Sequence, residues 1–545
     1  MNCKAFSWIL RTSLALAVSL FFFSATSLHA QVDAGAILGT ITDASGAVVH
    51  DAAVTLTNEG TGAKLTTTTG NDGDYKFAPV RIGSYTVGVS LQGFQSAEHK
   101  GVVVNVGASV VTNFSLKPGQ VTETVEVTGE APVLQTQDAS LGQVVNSRSV
   151  NNLPLNGRNF TFLAQLAAGV NTPQADTRGN AATGAFSANG SRPAQNNYLL
   201  DGIDNNSDTV DFLNGTNFVV LPPVDAVQEF KVQTTDFSAE FGRSGAAVLN
   251  ATIKSGTNSF HGAAWEFFRN DKLDAADYFE NVNGVTKKGK LRLNQFGGDF
   301  GGPILKNKVF FFADVELARR RQGSPHTNGS VPTVQERGSN YTNFQELLQS
   351  GTQTDVLNRT MPNGTILDPA TTRAVGSGFV RDPFSTVCGP GTTTYTLAAC
   401  PDLNILPSNR LDTNAINLLN LYPSPTGPGI SGNYSASPVL KENRKAFDTK
   451  LDLNPNDKNS VFFRASVVDD PQLIPGFFGG VADGGGFQEG TQTALAEQGA
   501  LSYTHTFSPT MVNEARAGLS YLHTTRISPE ANNLKGTSGN GIPAE

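Results

Sequence analysis

The sequence predicts a mostly β chain in three parts: an N-terminal β-sandwich, a small α+β plug, and a partial antiparallel β-barrel of the outer-membrane kind. Three observations carry this. Between residues 34 and 119, short β-prone runs alternate with Gly, Asn and Asp turns at regular spacing. From residue 260 onward, runs with apolar and polar residues on alternate faces are joined by connections that alternate between long and short. The N-terminus reads as an export signal, and no later segment approaches the ~20 apolar residues of a spanning helix. If the protein is in a membrane, it gets there as a barrel.

Composition narrows the classes. A chain of 545 residues exceeds one core, so several domains are expected. Charged residues make up 16% and Gly numbers 56, which suits β-rich exported proteins better than helical cytosolic ones. Lys+Arg 39 against Asp+Glu 47 leaves a net charge of -8 without a basic stripe, which argues against nucleic acid as the main partner. Residues 1–30 form the signal: Lys4 and Arg11 give the positive region, Leu14 to Phe23 the apolar core and Ala30 the cleavage residue. Cys3 leaves with it. Cys388 and Cys400 remain; an exported protein can join them as a loop staple, the alternative being two free thiols.

Residues 31–119 make the sandwich. Asn71-Asp72-Gly73 is a hairpin signal, because such a turn needs positive φ. The runs Gly39 to Asp43, Gly70 to Phe77, Gly83 to Val87 and Gly93-Phe94 resemble the carboxypeptidase regulatory-like domain. That resemblance implies a seven-stranded sandwich without catalytic activity. A linker follows over 120–137, with one β-prone island, Glu123, Thr124, Val125, Glu126, Val127 and Thr128, in polar surroundings before Pro132. The island resembles the TonB box, the peptide by which outer-membrane receptors engage the TonB energising complex. Its physics is β-augmentation, an exposed extended peptide adding to a partner's sheet edge. The other reading is a last strand of the sandwich.

Residues 138–256 hold Leu153, Pro154, Asn156, Gly157 and Arg158, then Asn189, Gly190 and Arg192, then Asp201 and Gly202, and finally the run Ser244 to Asn258. In this order they resemble the plug domain of TonB-dependent receptors, in the Oar-like branch. A short helix is expected within Val150 to Leu155 and Phe160 to Leu166, and a small mixed sheet around Tyr198 and Phe230. Ala239 to Phe268 is the hinge: Val248 to Lys254 alternates as a strand, a Ser-Gly-Thr-Asn turn breaks it, and Trp265 and Phe267 open the barrel.

The barrel part, 257–545, offers strands at 260–269, 291–300, 306–318, 443–453, 460–468, 496–507 and 511–524. In the third, Val309, Phe311, Ala313, Val315 and Leu317 oppose Asp314 and Glu316; in the fourth, Phe447, Thr449, Leu451 and Leu453 oppose Asp448, Lys450 and Asp452. Outer-membrane barrels put long loops outside and short turns in the periplasm, which matches connections of alternating length. Asn294 to Ile304 with Lys308 to Phe312 also resembles the barrel opening of the Oar-like branch. Receptors of that family close about 22 strands, so the chain reads as the first part of a longer protein.

No chemistry of catalysis is legible. Gly284 to Lys290 nearly makes a phosphate loop, but Leu291 replaces the Ser or Thr that would hold magnesium. Asp201, Asp204, Asp208 and Asp211 do not have calcium-loop spacing and read as a solvated cluster. Arg319 to Arg321 reads as a solvated rim. The expectation is a non-enzymatic outer-membrane protein of a Gram-negative-type bacterium, without cofactor or metal, contacting TonB, outer-membrane lipid and an unidentified extracellular ligand. The resemblance implies import of an oligosaccharide, a peptide or a metal chelate; its alternative is a structural, adhesion or secretion-associated envelope protein.

Overall fold

The computed structural model describes residues 34–119, 124–126, 140–155, 157–171, 186–207, 218–276, 278, 288–323, 327–483, 489–508, 511–528 and 531. The expected signal at 1–30, the ends of the linker island, Asn156, Asp208 and Asp211 lie outside them.

The sandwich consists of β1 (Gly35–Asp43), β2 (Ala53–Asn58), β3 (Lys64–Thr68), β4 (Asp74–Val80), β5 (Gly83–Ser90), β6 (Ser96–Val104), β7 (Ser109–Val111) and β8 (Phe114–Leu116). One sheet runs β4-β1-β7, with β8 also on β1; the other runs β3-β2-β5-β6 and ends on β9 (Thr124–Glu126). Alternation produces the core: Ile37 and Ile41 from one sheet meet Val54, Leu56, Val87 and Val89 from the other. The expected hairpin at Asn71-Asp72-Gly73 is corrected. Gly73 does take φ +73°, but β3 pairs with β2 and β4 with β1, so the turn carries the chain from one sheet to the other.

The plug is built on β10 (Leu141–Asn146), β11 (Val170–Asn171), β12 (Ser187–Ala188), β13 (Asn197–Leu200), β14 (Ile203–Asp204), β15 (Val227–Thr235) and β16 (Val248–Ile253). Its main sheet has the order β10-β15-β16-β13-β14 and is mixed, since β13 runs parallel to β16 while β15 is antiparallel to it. The first helix is Ser147–Asn152, earlier than expected. The Asn146 side chain caps it by accepting from Ser149 N at 3.0 Å, and Leu153, which precedes Pro154, is already extended. Phe160–Leu166 forms a 3-10 turn.

Seven long strands follow, β17 (His261–Asn270), β18 (Leu291–Leu305), β19 (Val309–Gly323), and, after the longest loop, four more. That loop carries β20 (Thr327–Gly329), β21 (Gln349–Thr354), β22 (Thr360–Asn363), β23 (Leu367–Val375), β24 (Gly378–Pro383) and β25 (Tyr434–Ala436). The last four are β26 (Val439–Asn456), β27 (Asn459–Ile474), β28 (Gly490–Ser508) and β29 (Met511–Ile527). All seven pair antiparallel in chain order into one curved sheet that does not close; β17 and β29 are its outer strands among the described residues. Faces separate by polarity: Asp314, Glu316, Asp448 and Arg464 are buried against the plug, while Val315, Phe447, Leu501 and Leu519 are exposed on the other side. Gly256 in the hinge is needed for close approach, because a Cβ there would strike the backbone of Gly302 and Phe311. No helix among the described residues is long and apolar enough to cross a membrane.

The long loop has its own small core of Met361, Tyr395, Cys400 and Leu403, with Cys388 and Cys400 joined as a disulfide. Burial alone would raise the Asp402 carboxyl, but hydroxyls of Ser385 and Thr386 and two backbone N–H groups hold it at about 2. Tyr422 and Tyr434 of this loop pack on Phe477 and Phe478 of the next, with ring centroids 5.1 to 5.7 Å apart across the two loops.

Candidate functional site

The functional residues gather where the plug meets the inner wall of the sheet. The wall is assembled by register. Asp314 on β19 lies opposite Asp448 on β26, Asp448 opposite Ser466 on β27, and Ser466 opposite Gln498 on β28. One step along, Lys450 lies opposite Arg464. Because side chains alternate at period two, one register places all of these on the lumen side.

Into this wall the plug inserts Asp201. The turn Leu200-Asp201-Gly202 joins β13 to β14, and Asp201 takes φ +49° to make it. Its carboxylate is fully buried, 2.9 Å from Lys450 Nζ and 2.8 Å from Arg464 Nε, and it also accepts from the backbone N–H of Ile253 at 3.2 Å. The Arg464 Nε approach is ionic rather than a well-directed hydrogen bond. Arg464 spends its other donors on Ser466 Oγ, Gln498 Oε1 and the Leu200 carbonyl. Arg516 on β29 donates to the Asp201 carbonyl at 3.1 Å. Asp201 is therefore gripped from β26, β27 and β29. One carboxylate between two cations is the arrangement that makes a buried charge tolerable.

A second seat forms at Arg158, which has φ +51° after Gly157 at +77°. Its guanidinium pairs with Asp225 of the plug, lies 4.0 Å from Glu316 of the wall and stacks 3.9 Å from the Phe267 ring centroid. Burial raises the Asp225 carboxyl, while Arg158 and Lys254 pull it down. Arg444 closes the cluster, donating to Glu316 at 3.3 Å and to the Leu221 carbonyl at 2.6 Å. At the hinge, Lys254 reaches Asp299 at 3.3 Å. Asp314 has no hydrogen-bond partner for either carboxylate oxygen among the described residues, and no group of three metal-ligating side chains occurs among them.

The remaining motif residues do local work. Asn189, at φ +52°, donates to the Thr234 carbonyl at 3.0 Å, tying its turn to β15. Gly190 completes that turn at φ +77°, and the Arg192 N–H is accepted by Gln195. Leu153 closes the first helix, donating to the Ser149 carbonyl. The structure brings Asp201 and Arg158 to the wall and leaves Asn189, Arg192 and Leu153 within the plug. The wall cations at these two seats, Lys450, Arg464 and Arg516 around Asp201 and Arg444 beside Glu316, are not singled out as site residues by the sequence. Their one signal was a charge on the polar face of an amphipathic strand.

The sandwich contacts the plug and the barrel through polar groups. Glu229 accepts from Val106 N at 2.5 Å, Lys231 donates to the Gly107 carbonyl at 3.3 Å, and Arg81 pairs with Asp452 at 2.7 Å. A cavity of about 220 Å³ lined by Lys231, Gln233 and Asn250 lies beside this contact. Of the two readings of the linker island, the structure shows the strand of the sandwich: Thr124–Glu126 is β9, running parallel to Ser96–Glu98 of β6.

Comparison with known proteins agrees with this architecture. Residues 36–117 match the carboxypeptidase regulatory-like domain, and residues 252–545 match the outer membrane beta barrel domain. A curated relative, the TonB-dependent transporter Oar of Myxococcus xanthus, is 29% identical over 314 residues, 55% of this chain and 28% of that protein's length. The chain thus matches less than a third of that relative's length. Among solved structures, a ferric enterobactin receptor mutant of Pseudomonas aeruginosa in complex with enterobactin is 12% identical, with a TM-score of 0.40 over 72% of this chain and 42% of that one. The siderophore receptor PirA of Acinetobacter baumannii is 16% identical, with a TM-score of 0.40 over 74% and 42%. With more than half its length in the matching domain, the chain belongs to the outer membrane beta barrel domain family and is an outer-membrane protein.

Proposed function

We propose that the chain is part of a TonB-dependent outer-membrane transporter that imports a nutrient ligand. The observation that carries this reading is the nature of the plug seat. Asp201 and Arg158 hold the plug to the wall through buried charge rather than through apolar packing alone. Such a contact is specific in register, yet water entering the lumen can replace it. A plug fixed for good would gain more from an apolar seat. The relative named a TonB-dependent transporter supports the same reading.

Transport needs energy from outside the barrel, and Glu123 to Thr128 is the segment proposed to receive it, by main-chain pairing with TonB. Ligand would be held by the disulfide-stapled loop between β19 and β26 and by the plug surface beneath it. The test is Val125→Pro in the full-length protein. Proline removes a donor and fixes φ, which an added strand tolerates poorly. Capture of TonB and uptake should be lost, with surface level unchanged. Normal capture by the proline variant would favour the structural or adhesion reading instead.

A further inference from the structure

Lys450, which pairs with Asp201 of the plug, stands beside a second carboxylate that the sandwich occupies. Lys450 and Asp452 are both buried on the lumen side of β26. Two residues of a strand span ~7 Å, within reach of a lysine side chain. Directly opposite Asp452 lie Phe310 on β19 and Phe462 on β27, so neither neighbouring strand sets a cation across from it. Its partner comes from the sandwich. Arg81, in the turn between β4 and β5, donates to one carboxylate oxygen at 2.7 Å. The other oxygen is buried without a hydrogen-bond partner among the described residues. The Phe462 ring takes both cations, with the Arg81 guanidinium carbon 5.4 Å and the Lys450 ammonium 4.9 Å from its centroid. A second contact holds the sandwich to the hinge, Asn258 N donating to the Gly60 carbonyl at 2.9 Å.

We infer that the sandwich is part of the plug's lock. While Arg81 holds Asp452, Lys450 is left to Asp201; when the sandwich lifts away, Lys450 passes from Asp201 to Asp452. Two effects drive the transfer. A buried carboxylate stripped of its cation is strongly unfavourable, and Lys450 is the next cation along the same face of the strand. Arg81 also repels Lys450 across the shared ring, and that repulsion ends when Arg81 leaves. Asp201 does not follow Lys450, because the turn after β13 fixes its backbone and Arg464 and the Ile253 N–H still hold its carboxylate. It then keeps one cation instead of two, and the seat loosens. Arg81 is thus a positioning residue that acts on the plug through Asp452 and Lys450. The exchange needs neither a ligand nor an energising partner, so it goes beyond the transport reading and holds or fails without it.

Hydrogen exchange at the Ile253 amide reads the seat, because that N–H donates to the Asp201 carboxylate at 3.2 Å. It is measured on the full-length protein in outer-membrane vesicles. Arg81→Ala should quicken this exchange by about tenfold. Asp452→Asn breaks the same ion pair with the sandwich, yet its neutral amide does not draw Lys450 away, so exchange should stay at the wild-type rate. Combining Arg81→Ala with Asp452→Asn should return exchange to the wild-type rate as well. Because the double variant carries the same Arg81→Ala change, its recovery shows that the single variant is quickened by Asp452 and not by a misfolded sandwich. A wild-type rate in Arg81→Ala alone overturns the inference. Quickening by Asp452→Asn alone, or a double variant as fast as Arg81→Ala, also overturns it, since the sandwich would then brace the plug by contact and not by ion exchange.

Discussion

Asp201 is where one side chain does most for the assembly. Its charge offsets Lys450 and Arg464 at once, and both are buried with it. Asp201→Asn keeps the shape and the acceptor for Ile253 N but leaves two cations facing a neutral amide. Removing one partner of a buried ionic cluster costs about 3–5 kcal/mol. The loss should fall on the plug alone: hydrogen exchange at the amides of Leu200 and Ile253 should quicken, with β26 and β27 unchanged. Uniform protection in the variant would show that the apolar contacts of Phe312, Ala446 and Val468 hold the plug without it. Cys388→Ser acts elsewhere. The disulfide closes a short loop, sequence separation 12, and such a closure is worth about 3 kcal/mol. Proteolysis should then clip the loop between β19 and β26, while barrel assembly is kept.

At the scale of elements, the sandwich and the plug meet through Glu229. Burial pushes its carboxyl up to about 7, against the pull of the Val106 N–H, from an ordinary value of 4.5. Undocking the sandwich exposes the carboxyl and returns it toward the ordinary value. The docked state thus binds the proton more tightly, so docking is strongest below about 4.5 and weakens as pH rises to about 7. Limited proteolysis of the Val106-Gly107 turn should quicken over that window, and Glu229→Gln should flatten the dependence. A rate that falls with rising pH would contradict the assignment.

The elements also show what the sequence made legible. All seven barrel strands were read in order, because one face meets lipid and the other the plug, so polarity alternates. Their ends were not. β26 begins at Val439 rather than 443, and β27 runs to Ile474 rather than 468. In those extensions Lys441, Glu442, Asp469 and Asp470 put charge on both faces, so alternation vanishes while the hydrogen-bond ladder continues. The plug turns were legible from Asp201-Gly202 and Gly157-Arg158. Their partners across the lumen were not, since Asp201 and Arg464 are brought together by register and not by any local pattern.

For the whole molecule, the curved sheet supplies a polar inner wall, the plug packs on it through charged seats, and the sandwich touches both through Arg81 and the Val106-Gly107 turn while pairing with β9. Plug and wall are joined both by these charged seats and by apolar contacts of Phe312, Ala446 and Val468. On the proposed reading, the lumen is closed by a plug seated on charge. Conductance of the full-length protein in a planar lipid bilayer tests it most directly. The wild type should show no steady channel current, and Asp201→Asn should show openings of one repeated size. A wild type that conducts steadily, or a variant as silent as the wild type, would contradict it.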